Sequence, residues 1–381
     1  MGKGLLRSMP TVAREPCLIV RRPEKTRLSV RRRFRVCRGV WAAWKSITEL
    51  VAKDGEGQGR NHGVEVVNVM SRSSTTHWRG VICSTLCGVV VLLSSPLFAQ
   101  EVEIRRWNHL PIDGNFVTTN YARTDGDIAV DPVLLLDDVS VEMDTWLLGY
   151  IRTFELFDRT ARVEIRQPWQ AGIWNGVVDG TPTQVSREGW SDTFARFAVN
   201  LVGAPPLAGK AYADYRAAAH VETIVGAALG MRLPTGQYLE DKLINLGSNR
   251  FTFSPQVGVH QQYYNWSFEA TGTAWIYTDN NSFFNGNQLE QDPYYTMDGS
   301  VEYKFRSGIW VSAGAGIGLG GQSAVNGVER DNRREDFGWT ASAGFPVTRS
   351  LSFKAAYFDT EHWAKVGIAS QTVSVGLMGS W

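Results

Sequence analysis

Cysteine is missing from residues 100–381, and the chain's four cysteines all lie before that range: Cys17, Cys37, Cys83 and Cys87. Residues 100–381 therefore contain no disulfide, no thiolate nucleophile and no cysteine-based metal site. The chain also lacks an apolar run of the ~18 residues that a membrane-spanning helix needs. This excludes a helical membrane protein, but a membrane protein built from strands stays open.

Residues 100–381 also lack an excess of basic side chains. Residues 1–99 contain 17 Lys and Arg against 6 Asp and Glu, a net charge of 17 − 6 = +11. Residues 100–381 contain 22 against 32, a net charge of 22 − 32 = −10. Nucleic acids favour a basic protein surface, so we expect no nucleic-acid partner.

Histidine is scarce beyond residue 100, where the chain has only His109, His220, His260 and His362. No two of them have a metal-ligand spacing such as i, i+4, so we predict no metal site and no cofactor. His362 follows Asp359 and Glu361 in a predicted external loop, where a histidine–acid pair could serve an outer-membrane hydrolase. The alternative is a solvated loop histidine, and we assign no catalytic residue.

A segment of secretory type separates the two parts of the chain. Arg72 and Arg79 precede an apolar stretch over 81–93, and Ala99 is a small residue before the predicted cleavage site. We therefore predict that residues 70–99 are a signal peptide that exports the remainder. Residues 1–69 are expected to be either untranslated upstream sequence or a disordered basic segment.

Beyond residue 110 the dominant hydrophobic period is two, which predicts strands with one polar and one apolar face. For example, Glu302 and Lys304 alternate with Val301, Tyr303 and Phe305. We count twelve such runs: 115–124, 140–153, 159–168, 190–201, 220–232, 250–261, 264–277, 293–306, 308–320, 336–346, 349–358 and 369–381.

The connections between these runs alternate between long and short, except that 202–219 is long where a short one is expected. An even strand count with two alternating classes of connection is typical of an all-β, antiparallel outer-membrane barrel with long external loops and short periplasmic turns. The long connections are 125–139, 169–189, 233–249, 278–292, 321–335 and 359–368. We assign residues 115–381 to the barrel and residues 100–114 to a periplasmic N-terminal segment.

Tryptophan is common near the predicted strand ends, at Trp146, Trp190, Trp266, Trp275, Trp310, Trp339 and Trp381. Aromatic rings suit the headgroup boundary, because one edge of the ring is apolar and the other is wet. Trp381 ends the last run in its apolar register and resembles the signal that the outer-membrane barrel assembly machinery reads. We therefore expect outer-membrane lipids and this machinery as partners.

Charged side chains occupy the predicted polar faces at Arg162, Glu164, Arg166, Arg196, Glu269, Glu302, Lys304 and Lys354. On the lipid face a Lys or Arg would cost ~2–4 kcal/mol, so these residues should line the lumen. Two interpretations stay open. The lumen either selects solutes by their charge, or its charges pair with one another and fill a narrow barrel.

Several motifs resemble the outer-membrane transporter family of the meta-pathway of phenol degradation. They lie in the same order as in that family, over about residues 140–381, at Asn200–Pro205, Pro234–Tyr238, Asn245–Phe251, Gln291–Tyr295 and Gly308–Trp310. The resemblance implies an outer-membrane barrel loosely linked to uptake of aromatic or other hydrophobic compounds, with no defined solute.

The predicted external loop 233–249 carries the most family-specific residues, Pro234, Gly236, Tyr238, Asn245 and Asn249, with Arg250 at its return. Proline fixes φ and glycine permits tight turns, which favours a defined loop shape. The hypothesis is that this loop constricts the barrel mouth and contacts a solute. The alternative is that these residues only cap strand ends.

We therefore predict an outer-membrane channel or transporter, without enzyme activity, for passive or selective uptake of small aromatic or hydrophobic compounds. The alternatives are a non-transporting structural or adhesion barrel and an outer-membrane hydrolase.

Overall fold

The computed structural model describes residues 103–129, 136–178 and 180–381. The predicted signal peptide over 70–99, residues 1–69 and the four cysteines lie outside these ranges. The described strands are β1 Asn115–Ala129, β2 Leu136–Leu156, β3 Arg159–Val178, β4 Thr181–Trp190, β5 Thr193–Val202, β6 Val221–Leu233, β7 Thr252–Tyr263, β8 Trp266–Tyr277, β9 Asn280–Phe283, β10 Asn287–Gln291, β11 Tyr294–Lys304, β12 Trp310–Gly320, β13 Ser323–Val325, β14 Val328–Glu329, β15 Arg334–Pro346, β16 Leu351–His362 and β17 Gly367–Ser380. A helix, α1, spans Gly209–Ala218.

Twelve antiparallel strands form a closed barrel in the order β1-β2-β3-β5-β6-β7-β8-β11-β12-β15-β16-β17. The barrel closes where β17 pairs with β1, from Phe116 opposite Ser380 to Ala129 opposite Gly367. Each of the twelve predicted runs overlaps one barrel strand, so the predicted fold is confirmed. Closure gives the backbone N–H and C=O groups of the barrel strands hydrogen-bond partners on both sides, as a lipid environment requires.

The two faces of the wall also follow the predicted alternation. On β12, Trp310 and Ser312 face inward and are buried, whereas Val311 and Ile317 face outward and are 42% and 44% exposed. Large apolar side chains are exposed on the outward face around the barrel, which is the face that lipid covers.

Two of the tryptophans predicted at the headgroup boundary instead face inward. Trp275 donates from its indole nitrogen to Thr296 Oγ1 at 3.4 Å, and Trp310 is 7% exposed beneath the guanidinium of Arg105. Both lie in the inward register of their strands. The alternation of the strand, rather than a position near its end, therefore decides which way these side chains face.

Several connections predicted as long loops contain ordered strands. The range 169–189 consists of the second half of β3 paired with most of β4, which extends the wall beyond β5. The ranges 278–292 and 321–335 contribute β9, β10, β13 and β14 to a separate four-stranded sheet. The exceptional connection 202–219 contains α1. Within the described residues, no helix is long and apolar enough to cross a membrane.

Two apolar clusters lie at the end of the barrel that carries the connections 169–189, 278–292 and 321–335. The first, here called the mouth cluster, contains inward-facing strand residues, two residues from the connection after β6 and one residue directly before β17: Ile128, Val139, Val141, Met143, Trp174, Ile244, Leu246, Val366 and Ile368. The second contains Phe283, Leu289 and Val325 of the small sheet. Leu243 packs against both clusters, so the connection after β6 joins the barrel wall to the small sheet.

Candidate functional site

The sequence predicts a periplasmic N-terminal segment over residues 100–114, of which the structure describes 103–114. Residues 103–109 contact inward-facing side chains of the barrel. Trp107 is fully buried, and its indole nitrogen donates to Thr271 Oγ1 on β8 at 3.0 Å. Gly226 and Gly258 leave the space for this ring, because a Cβ atom at either position would overlap it. The segment therefore occupies a recess formed by glycines of β6 and β7.

Acidic side chains of the barrel hold the backbone and the arginines of this segment. Glu269 accepts from the backbone nitrogens of Arg106 and Trp107 at 3.1 and 3.2 Å. Arg105 Nε lies 3.3 Å from Glu302 Oε2, and Arg106 Nη1 lies 3.5 Å from Asp298 Oδ1. These contacts come from mid-strand residues, so the segment fills part of the lumen.

Glu164 is the centre of a second group of paired charges. Its carboxylate lies 2.9, 3.0 and 2.9 Å from the guanidinium groups of Arg162, Arg166 and Arg196. The Arg196 guanidinium also lies 5.0 Å from the centre of the Trp107 ring, and Arg166 donates to Glu103 of the N-terminal segment. We call the inward face of β3, β5, β6, β7, β8 and β11 the charged wall.

Six of the eight predicted lumen residues thus meet one another or the N-terminal segment: Arg162, Glu164, Arg166, Arg196, Glu269 and Glu302. For these six, the contacts favour mutual pairing over free charges. Lys304 is exposed and Lys354 is half-buried, and neither forms an ion pair with a described residue. Sequence periodicity gave the facing of these residues, but it could not reveal the segment that pairs with them.

Small side chains are frequent on the opposite side of the lumen, beside larger inward residues such as Trp310 and Phe358, and we call the inward face of β12, β15, β16, β17 and β1 the small-residue wall. Its members include Ser312, Gly314, Gly316, Gly338, Ser342, Gly344, Ala356, Ser370, Ser374 and Gly376. Lys354 lies between its register partners Gly344 and Gly376. Ser370, Thr372 and Ser374 are only half-buried, so solvent reaches part of this wall.

The loop after β6, residues 234–251, is fixed at its base by Asp192, a residue that the sequence analysis missed. Asp192 is 5% exposed and accepts from the backbone nitrogens of Gly236 and Ser248, each at 2.9 Å, and from Ser248 Oγ at 2.5 Å. Gly236 packs against Gly247, where a Cβ atom on Gly236 would lie 2.8 Å from the Gly247 Cα. One carboxylate therefore joins the two stems of the loop. Its only sequence signal is an acidic residue within the predicted run 190–201.

The other predicted loop residues order the tip and its contacts. Asn245 Nδ2 donates to the carbonyls of Leu239 and Lys242 at 3.1 and 3.0 Å. Tyr238 donates to the Ser282 carbonyl at 3.2 Å, and burial raises the pKa of its hydroxyl. Asn249 adopts a φ of +51°, a conformation that asparagine tolerates well, and donates to Asn280 at 3.0 Å. Pro234 is half-buried directly after β6.

The loop turns inward rather than standing free above the barrel. Ile244 and Leu246 are each 7% exposed and belong to the mouth cluster, whose other members line the inner wall. Arg250, at the return of the loop, donates to Gln291 and lies 4.6 Å from the centre of the Tyr277 ring. Burial lowers the pKa of Arg250 to about 10.

The histidine singled out for a hydrolase site lies at the end of β16. His362 faces inward opposite Asp336, and its Nδ1 is 2.9 Å from the Ala364 carbonyl oxygen. Asp359 and Glu361 occupy the alternate, outward register. His362 therefore points away from these two acids, because a strand turns successive side chains to opposite faces. This arrangement does not favour the alternative of a hydrolase site. The described residues contain no group of three potential metal ligands.

Trp381 lies at the closure of the barrel. It is 70% exposed, and its backbone exchanges hydrogen bonds of 3.0 and 3.1 Å with Asn115 at the start of β1. The role of this residue in assembly stays a prediction.

Comparison with solved structures gives one close match in fold and weaker ones. A crystal structure of an outer membrane channel from Pseudomonas putida F1 aligns with 74% of this chain and 100% of its own, at 19% sequence identity and a TM-score of 0.60. The transport unit of the autotransporter AIDA-I from Escherichia coli aligns with 80% of this chain and 98% of its own, at 8% identity and a TM-score of 0.41. No curated protein sequence matches the chain.

The fold therefore places the chain among outer-membrane β-barrels. A family model described as "Putative MetA-pathway of phenol degradation" matches residues 136–376, which is more than half of the chain and extends from the start of β2 into β17. The chain belongs to this family.

Proposed function

We propose that this protein is an outer-membrane channel that admits small solutes through the barrel lumen, with no enzyme activity. The observation that carries the proposal is the unequal lining of the lumen. The charged wall is covered by the N-terminal segment, whereas the small-residue wall is partly accessible to solvent. Glycine and serine leave a path beside the covered wall, and a polar lining is typical of barrels that pass solutes. The fold shared with the Pseudomonas channel supports this function.

The loop 234–251 is the proposed restriction at the external mouth. Its Ile244 and Leu246 pack on the inner wall, and the Asp192 carboxylate keeps its two stems together. A buried carboxylate that accepts three hydrogen bonds holds a loop more firmly than neutral contacts do. This arrangement supports constriction more than a role limited to capping strand ends.

The N-terminal segment is the proposed second restriction, deeper in the lumen. Hydrogen bonds, ion pairs, the Trp107 recess and the contact of Arg196 with the Trp107 ring hold residues 103–109 against the charged wall. Because these residues add no strand to the sheet, their displacement would leave the barrel closed. The two restrictions together predict low conductance for the intact protein.

The non-transporting barrel remains the second candidate, and the paired charges around Glu164 favour it. A lumen filled by mutually paired side chains gives rigidity without a path for solutes. The two candidates predict different conductance when both restrictions are removed: a channel should conduct, and a non-transporting barrel should not.

Single-channel recording in planar bilayers tests the proposal. The intact protein is expected to conduct weakly, and deletion of residues 237–247 should raise its conductance. Asp192→Ala should raise conductance less, because it loosens the stems of the loop but leaves the loop present. Asp241→Ala is the matched control, since Asp241 is an exposed acid of the same loop. Absence of conductance in the folded intact protein and in a folded variant lacking both 103–110 and 237–247 would support the non-transporting barrel instead.

A further inference from the structure

Three arginines converge beneath the loop 234–251, at the external end of the lumen. Arg232 ends the inward face of β6, Arg250 precedes β7 and Arg334 begins β15; their exposures are 9%, 7% and 6%. The Arg250 guanidinium lies 4.6 Å from the centre of the Tyr277 ring, and that of Arg334 lies 4.7 Å from the centre of the Tyr294 ring. Arg232 lies opposite Thr252, two residues after Arg250, in the β6–β7 register. We call these residues the arginine cluster.

Carboxylates satisfy only one member of this cluster directly. Arg334 Nε lies 3.0 Å from Asp336 Oδ2, whereas neither Arg232 nor Arg250 has an ion-pair partner within 4.0 Å among the described residues. Asp192 attracts Arg232 without a direct ion pair, and its oxygens already accept three hydrogen bonds from the loop. Asp279, which acts on Arg250, is exposed and accepts from Gln288 at 3.1 Å.

Hydrogen-bond donors in the same place also lack acceptors. Arg250 Nη1 and Ser254 Oγ are both buried without a hydrogen-bond partner. Ser254 lies opposite Gly230 in the β6–β7 register, next to the pair formed by Arg232 and Thr252. An unsatisfied buried polar group costs roughly 1–3 kcal/mol, and more when it is charged. Such a cost is offset when a ligand supplies the acceptor.

A cavity of the lumen adjoins the cluster. It is lined by Tyr294 and Asp336, the residues that contact Arg334, together with Trp275 and the glycines Gly316 and Gly318. Since Gly318 carries no side chain, the Tyr294 hydroxyl occupies the space beside it and donates to Asp336 Oδ2 at 2.8 Å. Arg334 is therefore bordered on the cavity side by the Tyr294 ring and the Asp336 carboxylate.

We infer that the arginine cluster binds the carboxylate of a small organic anion as it passes the external end of the lumen. Guanidinium groups suit this role because their planar donors match the two oxygens of a carboxylate and they stay charged when buried. Arg232 and Arg250 supply the unpaired donors, while Asp336 fixes Arg334 at the edge of the cavity. The inference rests on the proposed function, since it names the charge of the solute that the channel accepts.

Calorimetric titration of the detergent-solubilised protein with sodium benzoate tests this inference, with benzamide as the neutral ligand of matched shape. We expect benzoate to bind about tenfold tighter than benzamide, since charge-assisted hydrogen bonds are about twice as strong as neutral ones. Arg232→Gln and Arg250→Gln should each weaken benzoate binding about tenfold, equivalent to about 1.4 kcal/mol. Arg349→Gln is the matched control, because it removes an exposed cation from the turn between β15 and β16 and should leave benzoate binding unchanged.

Arg250→Lys provides a milder variant where a glutamine variant does not fold. It keeps the charge but loses the paired donors, so we expect an intermediate affinity for benzoate. Equal binding of benzoate and benzamide by the unmodified protein, or full benzoate affinity in the folded Arg232→Gln and Arg250→Gln variants, would overturn the inference. Conductance without benzoate preference would overturn the site and leave the channel standing. Benzoate binding without conductance would support the site and overturn the channel.

Discussion

The two walls of the lumen are built from different side chains, although the same alternation of inward and outward residues forms both. The charged wall carries Glu164, Glu269 and Glu302, and each of them is paired with an arginine or with the N-terminal segment. The small-residue wall presents Ser342, Ser374 and Gly376 at equivalent inward positions. Alternation therefore decides which way a residue faces, whereas side-chain size and charge decide whether that part of the lumen is filled.

Removing a charge at the centre of the charged wall should have the largest effect on the free energy of unfolding of any change to either wall. Glu164→Gln leaves three arginines without their shared carboxylate, so we expect a loss of roughly 3–5 kcal/mol in the free energy of unfolding. Denaturant unfolding in micelles, followed by tryptophan fluorescence, measures this loss. A decrease below 1 kcal/mol would mean that water, rather than Glu164, compensates these arginines.

Filling the recess for Trp107 should release the N-terminal segment from the charged wall without opening the barrel. Gly258→Leu places a side chain where the indole lies, and overpacking of this kind costs about 1–3 kcal/mol. Trypsin should then cleave after Arg105 and Arg106 much faster than in the unmodified protein. Gly272→Leu is the matched control, since a Cβ atom at Gly272 meets nothing within 4 Å. Unchanged cleavage in Gly258→Leu would show that the ion pairs alone retain the segment.

A polar contact on the small-residue wall should matter less than one on the charged wall. Ser312 and Ser342 share a hydrogen bond of 2.7 Å, and Ser342→Ala should cost about 1 kcal/mol of unfolding free energy. The same unfolding measurement applies. A cost as large as that of Glu164→Gln would remove the energetic distinction between the two walls.

Thiol labelling compares the two walls with the least disturbance of the structure. Thr271 and Thr372 both face inward, but Thr271 is 5% exposed against the N-terminal segment and Thr372 is half-buried on the small-residue wall. A water-soluble maleimide should label Thr372→Cys and spare Thr271→Cys, because the N-terminal segment covers only position 271. Residues 100–381 contain no other cysteine, so the label reports these positions alone. Combination with Gly258→Leu should make position 271 reactive. Equal labelling of both single variants would contradict the described position of the segment.

The sequence predicted the strands and the facing of their side chains, because period-two alternation is a local property. It also identified Asn245 and Tyr238 as residues of an ordered loop. It could not predict that Asp192 joins the stems of this loop, since that contact depends on residues 44 and 56 positions later. The position of Trp107 depends on Thr271, 164 residues away, and on two glycines whose role is only to leave space.

The contact between Asn115 and Trp381 has a consequence for the order of assembly. The first and last strands pair along their whole length, so the last residues of the chain complete the sheet that begins at residue 115. Pairing across this sequence distance is slow to form, because it closes the longest loop in the chain. The N-terminal segment precedes β1 directly, so it can reach the charged wall through the still-open side while that wall is being built. We expect the insertion of Trp107 to precede the joining of β1 to β17. The charged wall would then serve as a template on which the N-terminal segment folds during biogenesis.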